Sequence, residues 1–128
     1  MLNGIPDNDL TSGVNYRVIR YADVLLMAAE AHNQLGDDAT ALVYLNQVRQ
    51  RAGIFLRTSS GNDLYEHILK ERRSELSCEG HRFFDLVRTG KAADEIVNFE
   101  TGKHELFPIP QVEIDLAGGN WVQNPNYN

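Results

Sequence analysis

Cysteine is nearly absent from this chain, with Cys78 as its one thiol. That excludes an internal disulfide framework and any metal site built from several cysteines. Long apolar runs are also missing: the longest, Val24 to Ala29, is far short of the roughly 20 residues that a membrane-spanning helix needs. Basic residues are in deficit, 12 against 18 acidic ones, for a formal charge of −6. Such a chain repels a phosphate backbone unless its cations gather on one face, so nucleic acid is not an expected partner. The opening stretch MLNGIPDNDLTSGVNY has no basic start followed by an apolar run and no lipid-acceptor cysteine. The expectation is therefore either a protein retained inside the cell or a piece of a longer one.

What is present is ordinary for a folded protein. Apolar residues make up 42% and charged residues 23%, which argues against pervasive disorder or a fibrous repeat. A chain of 128 residues suffices for one core. Residues 1–15, rich in Gly, Pro, Asn and Asp without apolar periodicity, read as a flexible lead-in or a truncated loop, and residues 16–128 as one helical domain. From Arg17 to Leu35, Val18, Ala22, Leu25, Ala29 and His32 recur at helical spacing, and Gly36 ends the pattern. Asp37 and Asp38 then open a second helix with Ala41, Leu45, Val48 and Ala52 on one face, stopped by Gly53. So short a link forces an antiparallel hairpin, and the spacing of Ala29, Ala41 and Leu45 is that of a tetratricopeptide repeat.

Further helices follow. Asp63-x-x-Glu66 predicts a capping box for a third helix running through Ser77, with Ile68, Leu69 and Leu76 inward. After a bend at Gly80, His81 to Val87 predicts a fourth helix with Phe83 and Phe84 in the core, and Ala92 to Val97 forms a weak helical patch. Pro108 and Pro110 then impose extended backbone, and the rest reads as an irregular, extended C-terminal tail that wraps the helices. The fold class is mainly α. A single repeat-like hairpin cannot bury both its faces, which suggests missing neighbours.

Three strings are specific enough to name a family. YRVIRYADVLLMAAEAHNQLGDDATALVYLNQVRQRAG carries Arg20, Ala22, Asp23, Leu25, Leu26, Ala29, Glu30 and Ala31, then Leu45, Asn46, Val48, Arg49, Arg51 and Ala52. ILKERRSELSCEGHRFFDLVRTGK carries Glu71, Arg72, Arg73, Glu75, Leu76, Glu79, Gly80, Arg82, Asp85, Leu86 and Arg88. FPIPQVEI and the distal QNPNY add Pro108, Ile109, Pro110, Glu113, Ile114, Gln123, Asn124, Pro125 and Tyr127. In this order they resemble the C-terminal portion of the SusD/RagB family over about residues 16–127, with Cys78 standing where a larger apolar residue is usual. The resemblance implies an outer-membrane, cell-surface lipoprotein that binds glycans or other nutrients and works with a SusC-like TonB-dependent transporter in oligosaccharide uptake. It also implies that this segment is mainly scaffold, and that the protein is not an enzyme and needs no cofactor. The rival reading is a cytoplasmic helical-repeat adaptor offering the groove of the Arg17–Ala52 hairpin to a peptide.

Site candidates divide the same way. Arg72, Glu75, Glu79 and Arg82 are spaced by three, four and three, which predicts a structural ion-pair ladder locking the bend at Gly80. His81 and Asp85 lack the third ligand that zinc needs, so no metal is expected. Glu71, Glu75 and Glu79 show nothing that would push their pKa values apart, and Cys78 beside His81 sits at an apolar helical position, so no catalytic residue is assigned. Trp121, Tyr127 and Asn120 are the ligand-binding candidates, as aromatic faces with a nearby amide, although stapling the tail is the favoured role for them.

Overall fold

The computed structural model describes residues 17–127, and the lead-in expected over residues 1–15 lies outside the described residues. Six helices form among the described residues: α1 (Tyr21–Gln34), α2 (Asp38–Arg51), α3 (Gly61–Glu75), α4 (Arg82–Arg88), α5 (Ala92–Glu95) and α6 (Gln111–Leu116). The chain divides after Leu76 into two compact units, the first holding α1 to α3 and the second α4 to α6.

In the first unit the predicted hairpin forms, and local chemistry explains its turn. Gly36 takes φ +80°, which lets its N–H reach the Asn33 carbonyl and the Asp37 N–H reach the His32 carbonyl at 2.9 Å, so the last carbonyls of α1 are satisfied. The Asp37 carboxylate then accepts from the Thr40 N–H at 3.1 Å and caps α2. The same glycine device ends α2 at Gly53, where the Ile54 N–H reaches the Arg49 carbonyl.

Leu25, Leu26 and Ala29 of α1, Ala41, Leu45 and Val48 of α2, and Leu64 and Ile68 of α3 make one apolar cluster. Each of the large side chains fully buried there contributes roughly 1.5–3 kcal/mol relative to exposure. Ala29 and Ala41, both without exposed surface, let the two backbones approach. The inward face of α1 is rotated from the expected one: Leu26 and Asn33 are buried, His32 is half-buried, and Val18 precedes the helix and is exposed. Ala52, expected inward, is the exposed C-cap of α2.

α3 begins at Gly61, so Asp63 lies in its first turn and is not the cap. The cap comes from another helix: Oδ2 of Asp38, at the start of α2, accepts from the Gly61 N–H at 2.6 Å. Asn33 ties the arrangement by donating to the Gly61 carbonyl at 3.0 Å and to Asp38 at 2.7 Å.

In the second unit α4 buries only Asp85 and Leu86, so the core role expected of Phe83 and Phe84 is corrected: Phe84 is 66% exposed and Phe83 half-buried. The tail contains α6 beyond its prolines. Pro110 sits just before the first helical residue, a position where proline's fixed φ and missing N–H cost a helix nothing.

Candidate functional site

The inward face of α3 carries charge as well as apolar side chains. Arg72, 4% exposed, donates from Nη1 to Asp23 Oδ1 of α1 at 2.7 Å. Arg49 of α2 donates to the buried Glu71 carboxylate and, from Nε, to the Phe55 carbonyl at 2.7 Å. Glu75 receives two guanidinium groups, those of Arg20 and Arg51, and Arg20 also donates to the Glu75 carbonyl at 2.8 Å. Ions withdrawn from water persist only when paired and further hydrogen-bonded, and this clasp meets that demand from three directions. The hairpin string and the Glu-Arg-Arg string, far apart in sequence, are complementary halves of one contact.

The helix stops at Glu75, so Arg72, Glu75, Glu79 and Arg82 do not share one helical stripe. Arg72 and Glu75 engage the hairpin, Glu79 lies in the turn after α3, and Arg82 opens α4 and donates to Glu95 at 2.8 Å. Cys78 is not on an apolar helical position: it is exposed in the same turn at φ +65°. Asp85 accepts from Arg88 Nε at 2.9 Å. Among the described residues no group of three or more metal-ligating side chains forms.

Asn46 is a structural residue that spacing did not single out. Its carboxamide brackets one backbone unit, accepting from the Arg57 N–H at 2.8 Å and donating to the Arg57 carbonyl at 2.9 Å, and so fixes the loop between α2 and α3. Gln123 repeats the device in the second unit, accepting from the Ile109 N–H and donating to its carbonyl, both at 2.8 Å. Asn124 donates to the Phe107 carbonyl at 2.6 Å and Asn126 to that of Gly102 at 3.1 Å. The QNPNY string thereby closes onto the backbone of residues 102–109.

Of the ligand-binding candidates, Tyr127 donates its hydroxyl to the Leu106 carbonyl at 2.9 Å beneath Lys103, whose Nζ is 5.5 Å from the ring centroid. Asn120 donates to the Ala117 carbonyl at 2.9 Å, closing its own turn. Trp121 is 53% exposed and offers its ring to solvent. The three are not gathered into one cleft: of them only Tyr127 lines the 310 Å³ concavity of the second unit, with Phe83, Phe99, His104 and Phe107. The first unit has a concavity of 490 Å³ at the end of the hairpin away from its turn, lined from α1, α2 and the residues leading into α1.

A tetratricopeptide-like helical hairpin stacked on a third helix through a buried ion-pair clasp puts the first unit in the mainly α, hairpin-built class of proteins. The SusD family matches residues 2–106, and the chain belongs to that family. SusD-like protein P38 of Formosa agariphila is 42% identical over 107 residues, covering 74% of this chain and 21% of its own length. SusD-like protein P2 of the same organism is 32% identical over 140 residues, with 94% and 28% covered. The crystal structure of a SusD homolog from Bacteroides thetaiotaomicron superposes with a TM-score of 0.79 at 33% identity, over 93% of this chain and 26% of that one. A SusD-like protein of Bacteroides fragilis gives 0.76 at 30% identity, over 88% and 26%. The chain thus spans about a quarter of the length of the relatives it matches.

Proposed function

We propose that this chain is the C-terminal helical part of a cell-surface lipoprotein that binds a nutrient or glycan, and that its own contribution is mainly scaffold. The whole protein would work at the outer membrane with a SusC-like TonB-dependent transporter in oligosaccharide uptake, by binding rather than by catalysis. Family membership supports the binding role. The observation that carries the scaffold role is the clasp: Arg20, Asp23, Arg49, Arg51, Glu71, Arg72 and Glu75 spend hydrogen bonds on one another within the helical layer. Among the described residues no helix is long and apolar enough to cross a membrane, which is compatible with attachment by a lipid.

Fractionation of the producing cell tests this reading. The expected result is recovery with the outer membrane, sensitivity to protease added to intact cells, and slower uptake of at least one oligosaccharide class when the gene is deleted. Recovery in the cytosol with uptake of every tested glycan unchanged would contradict it and favour the helical-repeat adaptor.

A further inference from the structure

α3 ends earlier than its sequence requires. Helical spacing predicts a helix through Ser77, and Leu76-Ser77-Cys78-Glu79 contains neither Gly nor Pro, yet α3 stops at Glu75. The turn that follows holds Cys78 at φ +65°, a left-handed backbone that a residue with a Cβ resists. A helix that ran on would release Cys78 from it and would supply the Glu75 carbonyl with the Glu79 N–H, four residues on, as its donor. That carbonyl is held instead by a side chain from the start of α1. Arg20 donates from Nη2 to the Glu75 carbonyl at 2.8 Å and from Nη1 to Glu75 Oε1 at 2.9 Å, so one guanidinium grips both the main chain and the side chain of the last helical residue. The root of that arginine is fixed too: Arg20 caps α1 in extended backbone, and its carbonyl accepts from the Asp23 N–H at 3.0 Å and the Val24 N–H at 3.2 Å.

We infer that Arg20 is the stop of α3, a device by which the residue entering α1 sets the length of a helix that ends 55 positions away. Its guanidinium stands in for the Glu79 N–H on the Glu75 carbonyl, and its charge opposes the negative end of the helix dipole. Without it α3 runs on through Glu79, Cys78 leaves the left-handed region, and the turn by which the chain passes out of the first unit is rebuilt. Gly80 bounds the extension, because glycine weakens a helix interior more than any residue except proline. Arg51 reaches the Glu75 carboxylate and not the carbonyl, which makes it the control for the stop. The inference is independent of the nutrient reading and of any partner.

The test is backbone NMR of the full chain, following the Cα chemical shifts and amide exchange of Ser77, Cys78 and Glu79. Arg20→Ala is expected to move the three shifts to helical values and to slow exchange of the Glu79 amide at least about tenfold. Arg20→Met, which keeps an apolar stem without a donor, is expected to do the same and serves where the alanine variant does not fold. Arg51→Ala is expected to leave all three residues as in the parent. Adding Cys78→Gly to Arg20→Ala relieves the left-handed backbone and weakens the longer helix, and is expected to restore the parent's exchange at Glu79. Unchanged shifts and exchange at residues 77–79 in a folded Arg20→Ala or Arg20→Met variant would overturn the inference. So would helical shifts in Arg51→Ala, which would assign the stop to the charge on the carboxylate, or a double variant as protected at Glu79 as Arg20→Ala alone.

Discussion

Arg72 and Asp23 have side chains 5% and 6% exposed, and removing Arg72 leaves the buried Asp23 carboxylate without its guanidinium partner. Arg72→Ala is therefore expected to destabilise the first unit by about 3–5 kcal/mol. Arg51→Ala removes a partner that is 60% exposed and should cost only about 0–1 kcal/mol. Replacing both members of the buried pair, Asp23→Leu with Arg72→Met, should recover much of the single-variant loss, and urea unfolding of the three variants checks the ordering. At Cys78 the left-handed backbone disfavours any side chain, so Cys78→Gly should raise stability by roughly 1 kcal/mol in the same assay. The charged strings were legible as specific, yet their pairing was not. Helical spacing relates residues three or four apart, whereas Arg72 and Asp23 are 49 positions apart and meet only after the hairpin folds onto α3.

Elements obey the sequence where the signal is local. Gly36 and Asp37 fix the turn and the start of α2 through bonds within a few residues, and spacing finds both. The start of α3 escapes it because the cap is Asp38, supplied through space by α2, which makes Asp63-x-x-Glu66 a misleading pattern. α6 escapes it because prolines forbid a helix through them but admit one that begins immediately after. The Asp37 carboxyl is held below the usual carboxylate range, first by hydrogen bonds from the side chain and backbone N–H of Thr40, then by His32. A carboxyl with a depressed folded-state value contributes stability that is full above its unfolded value and is lost as pH falls through the folded one. Asp37→Asn keeps an acceptor for the cap and should flatten this acid limb in a thermal-midpoint profile, while the neutral-pH midpoint stays close to that of the parent. In the second unit, Gln123→Ala removes both bonds to Ile109 and should speed hydrogen exchange at the Ile109 amide, with the helices of the first unit unaffected.

On the scale of the molecule, the chain holds a hairpin and third helix around one apolar cluster, then a second unit whose tail closes on residues 102–109. It amounts to about a quarter of the length of its relatives, so a nutrient site and a transporter contact are properties proposed for the whole protein. Family and helical class were legible because three ordered strings carry them, and a structural use of the charged residues was expected too; their partners were not, since a ladder along one helix and a clasp between helices draw on the same residue types. We propose that the strings hold the fold and that Trp121, Tyr127 and Asn120 serve the tail and not a glycan. Calorimetric titration of an oligosaccharide panel into the chain, into Trp121→Ala and into Arg72→Ala, each with its unfolding curve, tests it most directly. Trp121→Ala is expected to leave both the binding heats and the stability of the parent unchanged, while Arg72→Ala loses stability. Saturable oligosaccharide binding by the parent chain that vanishes in a fully folded Trp121→Ala variant would contradict it.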